Sequence, residues 1–256
     1  MFNKKDIAQL ALWGGYSVRT AARIITISKS SRNDIIKEYK VNPDKVRVAY
    51  LGVKFDYNDK SELTMKDLEE KYNIQNPYIL FVGTLQPRKN IVRLIEAVAA
   101  LEQTEEKALD LVIIGRKGWN YQEILDAPKR LNIENRVHFL ESITDEELPS
   151  FYKHAEAFVL PSLYEGFGLP VLEAMRYGCP VITSNVSSLP EAGGDAAIYF
   201  DPENVDDIAE KIHKVLKDEK LRAKMVKEGH EQVKKFSWEK SAQEVLSVFE
   251  EFDGNK

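Results

Sequence analysis

Short apolar runs recur along this chain, each followed by a loop and then a stretch with helical periodicity. Residues 78–82 and 157–160 read straight through as apolar, with no polar residue at alternate positions. A strand without alternation must be covered on both faces, which is the condition of a parallel strand in a sheet flanked by helices. Further strands are expected at 23–27, 45–49, 109–114, 136–140, 180–183 and 196–199. Helices are expected at 91–101, 123–131, 145–153 and 170–177. Strand–helix alternation of this kind predicts an α/β fold, a doubly wound parallel sheet of Rossmann-like type.

The pattern divides the chain. Residues 1–52 hold two strands, too few for a buried sheet of their own. Residues 53–76 are polar and read as a linker with a lead-in helix near 63–71. A full α/β unit occupies 77–235. After Asp201-Pro202 the strands stop, and helices at 204–217, 219–235 and 238–252 close the chain, the last within a separate segment, 236–256.

Composition narrows the function. The 256 residues carry a formal charge of -5 and a pI near 5.6, which opposes a nucleic-acid partner and strong docking on an anionic membrane. The single cysteine, Cys179, has no internal disulfide partner, which fits a reducing compartment. The four histidines show no metal-ligand spacing, so no metal site is expected. No apolar run approaches the roughly 18 residues of a transmembrane helix, and no apolar core follows the N-terminus as in a signal peptide. The expectation is a cytoplasmic protein, peripheral to a membrane at most.

Three loops after strands carry chemistry, where open α/β sheets bind ligands. Gly83-Thr84-Leu85-Gln86-Pro87-Arg88-Lys89-Asn90 brings Arg88 and Lys89 together. A guanidinium fork and a compact ammonium suit a diphosphate, although such a pair alone is more often a solvated loop. Ser162-Leu163-Tyr164-Glu165-Gly166-Phe167-Gly168-Leu169-Pro170 runs into a helix that contains Glu173. Gly166 and Gly168 allow close approach of a ligand to backbone N–H groups at the positive end of that helix. Glu165 in the loop and Glu173 in the expected first helical turn are placed to accept hydrogen bonds from sugar hydroxyls. The plainer reading is a helix start with an ordinary glutamate. Gly115-Arg116-Lys117-Gly118-Trp119 is the third loop, with Trp119 either at a site rim or structural. No G-x-G-x-x-G, G-x-S-x-G or Walker A sequence is present, which opposes dehydrogenase, hydrolase and P-loop readings.

Together these stretches resemble glycosyltransferase family 4, the retaining GT-B enzymes that use nucleotide-sugar donors. The resemblance is carried by Glu165 and Glu173, separated by seven residues within Glu-Gly-Phe-Gly-Leu-Pro-Val-Leu-Glu-Ala. Ala157-Phe158-Val159-Leu160-Pro161-Ser162, Gly178-Cys179-Pro180-Val181-Ile182-Thr183-Ser184-Asn185, Gly193-Gly194-Asp195-Ala196-Ala197 and the 83–90 run add to it. The resemblance implies that Lys89 and Arg88 neutralise the donor diphosphate, Glu173 holds the ribose hydroxyls and Glu165 contacts the transferred sugar. It places Gly83, Thr84, Leu169 and the amides of Gly166, Phe167 and Gly168 against the donor, with the base near 140–143 and Ile143 in its pocket. It implies front-face transfer with retention, no cofactor or metal, and a nucleotide-diphosphate sugar as substrate.

Thr84 stands where many members have Arg, and Glu141 where they often have Gly. The 83–90 wording looks most like users of GDP-mannose, with UDP-glucose as the alternative donor. Residues 21–28 and 46–53 resemble the last strands of the family's N-terminal acceptor-side Rossmann domain, and 238–252 its returning C-terminal helix. The chain is therefore expected to be a donor-binding half that self-associates or takes a partner Rossmann domain. A non-catalytic nucleotide-sugar-binding module, or one subunit of a split transferase, is the alternative.

Overall fold

A computed structural model describes residues 4–53, 63–101 and 109–253. The chain forms two compact units, Met1–Lys54 with Phe236–Lys256, and Phe55–Lys235.

The smaller unit contains α1 (Lys4–Thr20), β1 (Ile24–Thr26), α2 (Lys29–Tyr39), β2 (Val46–Val48) and, from the far end of the chain, the closing helix Trp238–Asp253. The sequence reads as strand and helix in this segment but sets no bounds for α1 or α2. Gly14 and Gly15 lower helix propensity in the middle of α1, and α2 buries none of its side chains, so apolar periodicity carries no signal there. Local chemistry sets α2 instead. The Ser28 hydroxyl accepts from the Ser31 N–H at its start, and Lys40 adopts a left-handed conformation at its end.

β1 and β2 pair in parallel, with Ile24 opposite Val46 and Thr26 opposite Val48. Each has three residues, two fewer than expected, and mixed burial, as a two-stranded sheet with an uncovered face requires. The closing helix is tied to them by charge. Glu251 accepts from Arg23 Nε and Arg47 Nη2, both at 2.8 Å. At Gly52 a Cβ would lie 2.2 Å from the backbone nitrogen of Trp238, so only glycine admits that approach.

The larger unit opens with α3 (Met65–Tyr72), started by a reciprocal cap between Thr64 and Asp67. It continues through β3 (Tyr78–Val82), α4 (Ile91–Leu101), β4 (Asp110–Ile114), α5 (Gln122–Arg130), β5 (Val137–Leu140) and α6 (Leu148–His154). Next come β6 (Ala157–Leu160), α7 (Leu169–Arg176), β7 (Val181–Ser184), α8 (Leu189–Gly193) and β8 (Ala197–Phe200). Helices α9 (Val205–Lys217) and α10 (Glu219–Val233) complete it, and α11 is the closing helix already described.

Among the described residues, six strands form one parallel sheet in the order β5-β4-β3-β6-β7-β8. The doubly wound expectation holds. Phe81, Leu80, Phe158 and Val159 are fully buried, as continuous apolar strands require. Helix α6 begins at Leu148, three residues later than expected. Glu147 accepts from the backbone N–H and hydroxyl of Thr144 in a turn, and Pro149 favours a helix start just after it. The five-residue α8 has too short a period to register in sequence.

Candidate functional site

Chain order reverses between β3 and β6. From β3 the sheet grows through β4 and β5 in one direction, and from β6 through β7 and β8 in the other. The loops leaving these two adjacent strands must therefore diverge, which opens a crevice at their carboxyl ends. They are the loops that contain Arg88–Lys89 and Glu165.

The first loop is shaped by close approach. At Gly115 a Cβ would lie 1.9 Å from the Gly83 carbonyl oxygen, so the ends of β3 and β4 can meet only without a side chain there. Pro87–Lys89 then form a single 3-10 turn, and Asn90 takes a left-handed φ of 58°. The Asn90 amide donates to the carbonyls of Pro161 (3.0 Å), just after β6, and Pro202 (2.7 Å), just after β8, which ties the first loop to both segments. The Leu163 N–H donates to the Arg88 carbonyl at 2.9 Å.

Glu165 is the hub of the crevice. Its Oε1 accepts from Lys89 Nζ and from the Ser162 hydroxyl, each at 2.6 Å, and its Oε2 accepts from Arg88 Nη1 at 3.0 Å. Arg88 also donates to the Tyr164 carbonyl. The Glu165 backbone is gripped by the loop after β7: its N–H donates to the Ser187 hydroxyl, and its carbonyl accepts from Ser188, both at 2.9 Å. Lys89 is 9% exposed and Glu165 8%. Burial pushes the Glu165 carboxyl up, but Lys89, Ser162 and Arg88 outweigh it and hold the group below the usual range. The cluster of two cations and one carboxylate carries one net positive charge.

Beyond Glu165 the chain passes half-buried Gly166 and buried Phe167 to Gly168, which caps α7 with φ of 107°. A Cβ there would lie 2.9 Å from Leu189 Cδ2. Leu169 is the first residue of α7, and Pro170 sits in its first turn. Glu173 therefore occupies the second turn, not the first as expected. It accepts from the Tyr152 hydroxyl at 3.1 Å. Burial, followed by Asp145, raises its carboxyl against the opposing Tyr152 hydrogen bond and Arg176.

Gly83 borders the Lys89 ammonium: a Cβ there would lie 3.6 Å from Lys89 Nζ, an ordinary contact. Thr84 is exposed and Ile143 half-buried. Glu141 pairs with Lys117 at 2.5 Å across the ends of β5 and β4, and Trp119 is exposed. Asn90, Tyr152, Ser187 and Ser188 were not assigned site roles from sequence. Only Asn90 had a usable signal, as a turn-former ending the basic run; the others lie on elements brought in by the sheet order. Among the described residues no group of three or more His, Cys, Asp or Glu could hold a metal ion, and no helix is long and apolar enough to cross a membrane.

A Rossmann-like sheet with its crevice at the strand-order reversal, lined by a cation pair and a glycine-capped helix, defines the class. The chain belongs to the family described as glycosyl transferases group 1, which residues 65–232 match. Among curated relatives, O-antigen chain mannosyltransferase B of Escherichia coli is 36% identical over 91% of this chain and 61% of its own length. A serotype-specific mannosyltransferase of the same organism, WbdA, is 32% identical over 90% of this chain and 29% of its own. The chain thus spans about three fifths of the first relative and less of the second. A glycosyltransferase from Rickettsia africae shares the fold with a TM-score of 0.82 at 21% identity, covering 94% of this chain and 67% of that one.

Proposed function

We propose that this chain is the donor-binding domain of a hexosyltransferase that takes a sugar from a nucleoside-diphosphate carrier and transfers it with retention. The observation that carries the reading is the Lys89–Arg88–Glu165 cluster at the strand-order reversal, beside the glycine-capped start of α7. As the carbon–oxygen bond to the sugar breaks, charge develops on the departing diphosphate. Fixed cations and a helix N-terminus lower the energy of that charge most where water is excluded. Glu165, held by five neighbours, positions both cations and presents its carboxylate beside the transferred sugar. Glu173, one turn into α7, receives the ribose hydroxyls, and the segment 140–143 receives the base.

Mannose is the preferred sugar because the two relatives above are named mannosyltransferases, with GDP-mannose the first donor to test and UDP-glucose the second. The cation pair performs the charge neutralisation that a divalent ion would otherwise supply, so the reading is metal-independent. Catalysis needs an acceptor-side domain, and exposed Leu12, Trp13 and Tyr16 on α1 favour a partner for the smaller unit. Calorimetric titration with GDP, UDP, ADP and their sugars, with and without EDTA, tests the reading. Binding of one nucleotide series irrespective of chelator is the expected result. No binding of any would overturn it.

A further inference from the structure

Glu173 offers two carboxylate oxygens, and among the described residues only the Tyr152 hydroxyl donates to them, at Oε2. Tyr152 comes from α6 and is 1% exposed. Its ring is fixed on two sides. Phe158 of β6 meets it edge-on with centroids 5.6 Å apart, and Tyr177 just past α7 stacks on it at 5.8 Å with planes 14° apart. The hydroxyl therefore has little freedom to swing away. Its desolvated phenol stays protonated, so it can only donate to the carboxylate in this geometry.

We infer that Tyr152 is a positioning residue for nucleotide recognition: by donating to Oε2 it fixes the Glu173 carboxyl group and turns Oε1 toward the ribose hydroxyls. The inference rests on the proposed donor site and names a residue outside its lining. The physical need is specific. Burial and Asp145 both favour the neutral acid at Glu173, and only the Tyr152 hydrogen bond and Arg176 oppose them. A protonated Glu173 has one acceptor oxygen fewer for a diol, which donates two hydrogen bonds.

Tyr152→Phe removes the hydroxyl and keeps the ring packing. Calorimetry with GDP and UDP should show the nucleotide that binds wild type weakened roughly tenfold in the variant, the scale of one lost charge-assisted hydrogen bond. Inorganic pyrophosphate, which has no ribose, should bind both proteins alike. In a Glu173→Ala background, adding Tyr152→Phe should change nucleotide affinity no further. A carboxyl-carbon NMR titration of glutamate-labelled protein should show the Glu173 midpoint moving upward in Tyr152→Phe. Equal weakening of pyrophosphate, additivity in the Glu173→Ala background, or an unmoved Glu173 midpoint would each overturn the assignment. Wild-type protein that binds neither nucleotide would bring down the donor-site reading itself, a result distinct from these three.

Discussion

Lys89 and Glu173 do opposite things to the protein that holds them. Lys89 is buried against Glu165, and its removal leaves that carboxylate with Arg88 and Ser162 alone. Lys89→Ala should weaken nucleoside-diphosphate binding by about 1–3 kcal/mol and also lower the unfolding midpoint, because a buried carboxylate loses its nearest counter-charge. Calorimetry and a urea melt on the same sample would check both. Glu173 has the reverse character, its carboxyl being raised by burial first and by Asp145. A group whose folded pKa lies above its unfolded value contributes stability that is present at low pH and lost as pH rises through the folded value. The charged form of Glu173 is therefore the one that costs the fold stability, and the cost grows as pH rises through the folded value. Glu173→Gln should raise the thermal midpoint at pH 7 while weakening nucleotide binding. A variant that loses both would show that Glu173 is structural.

Two elements of the larger unit are set by single residues. Gly168 holds a φ of 107° at the start of α7, where a Cβ would press on Leu189 Cδ2. Gly168→Ala should cost about 1–3 kcal/mol in stability, from backbone strain and crowding together, and should disturb nucleotide binding beyond what the stability loss explains. At the opposite end of the sheet, Asp110 opens β4. It is 1% exposed and accepts from Arg136 Nε at 2.8 Å and Asn76, with His138 Nε2 at 3.0 Å. Burial raises its carboxyl, but His138, Arg136 and Asn76 together bring it below the usual range. Stability from such a group is complete above the unfolded carboxylate pKa of about 4 and is lost as pH falls through the depressed folded value. Urea midpoints followed from pH 7 downward should fall more steeply below pH 4 in wild type than in Asp110→Asn, which should be less stable than wild type at pH 7. Parallel curves would remove Asp110 from the acid response.

At the scale of the whole molecule, the smaller unit carries most of the exposed large apolar side chains among the described residues. Leu12, Trp13 and Tyr16 on α1 and Leu246 and Phe249 on α11 are all exposed, and the two strands of its sheet have three residues each. Exposed apolar side chains and short open edges favour association. The purified chain should sediment above its monomer mass, and Trp13→Glu with Phe249→Glu should shift it toward monomer. Amide exchange should be faster across residues 4–53 than across β3 to β8. A clean monomer with uniformly slow exchange would mean that the smaller unit is stable as it stands.

The sequence by itself determined the parallel α/β class, because unbroken apolar strands such as 78–82 and 157–160 have no other stable environment. It also located the basic run, the two glutamates and the glycines between them, since turn and helix-start chemistry is local. It did not determine α1 and α2, whose apolar periodicity is weak or whose side chains stay outside the core. It placed the start of α6 too early, because the Thr144–Glu147 turn imitates helical composition. Only the tertiary structure decided that β3 and β6 are neighbours, which brings Arg88 and Lys89 against Glu165, 76 residues from Lys89. Only it brought Ser187 and Ser188 to the Glu165 backbone and Tyr152 to Glu173. The reason is physical: spacing along a chain encodes hydrogen bonds within a turn or a helix, whereas strand order emerges from how all the apolar faces are buried together.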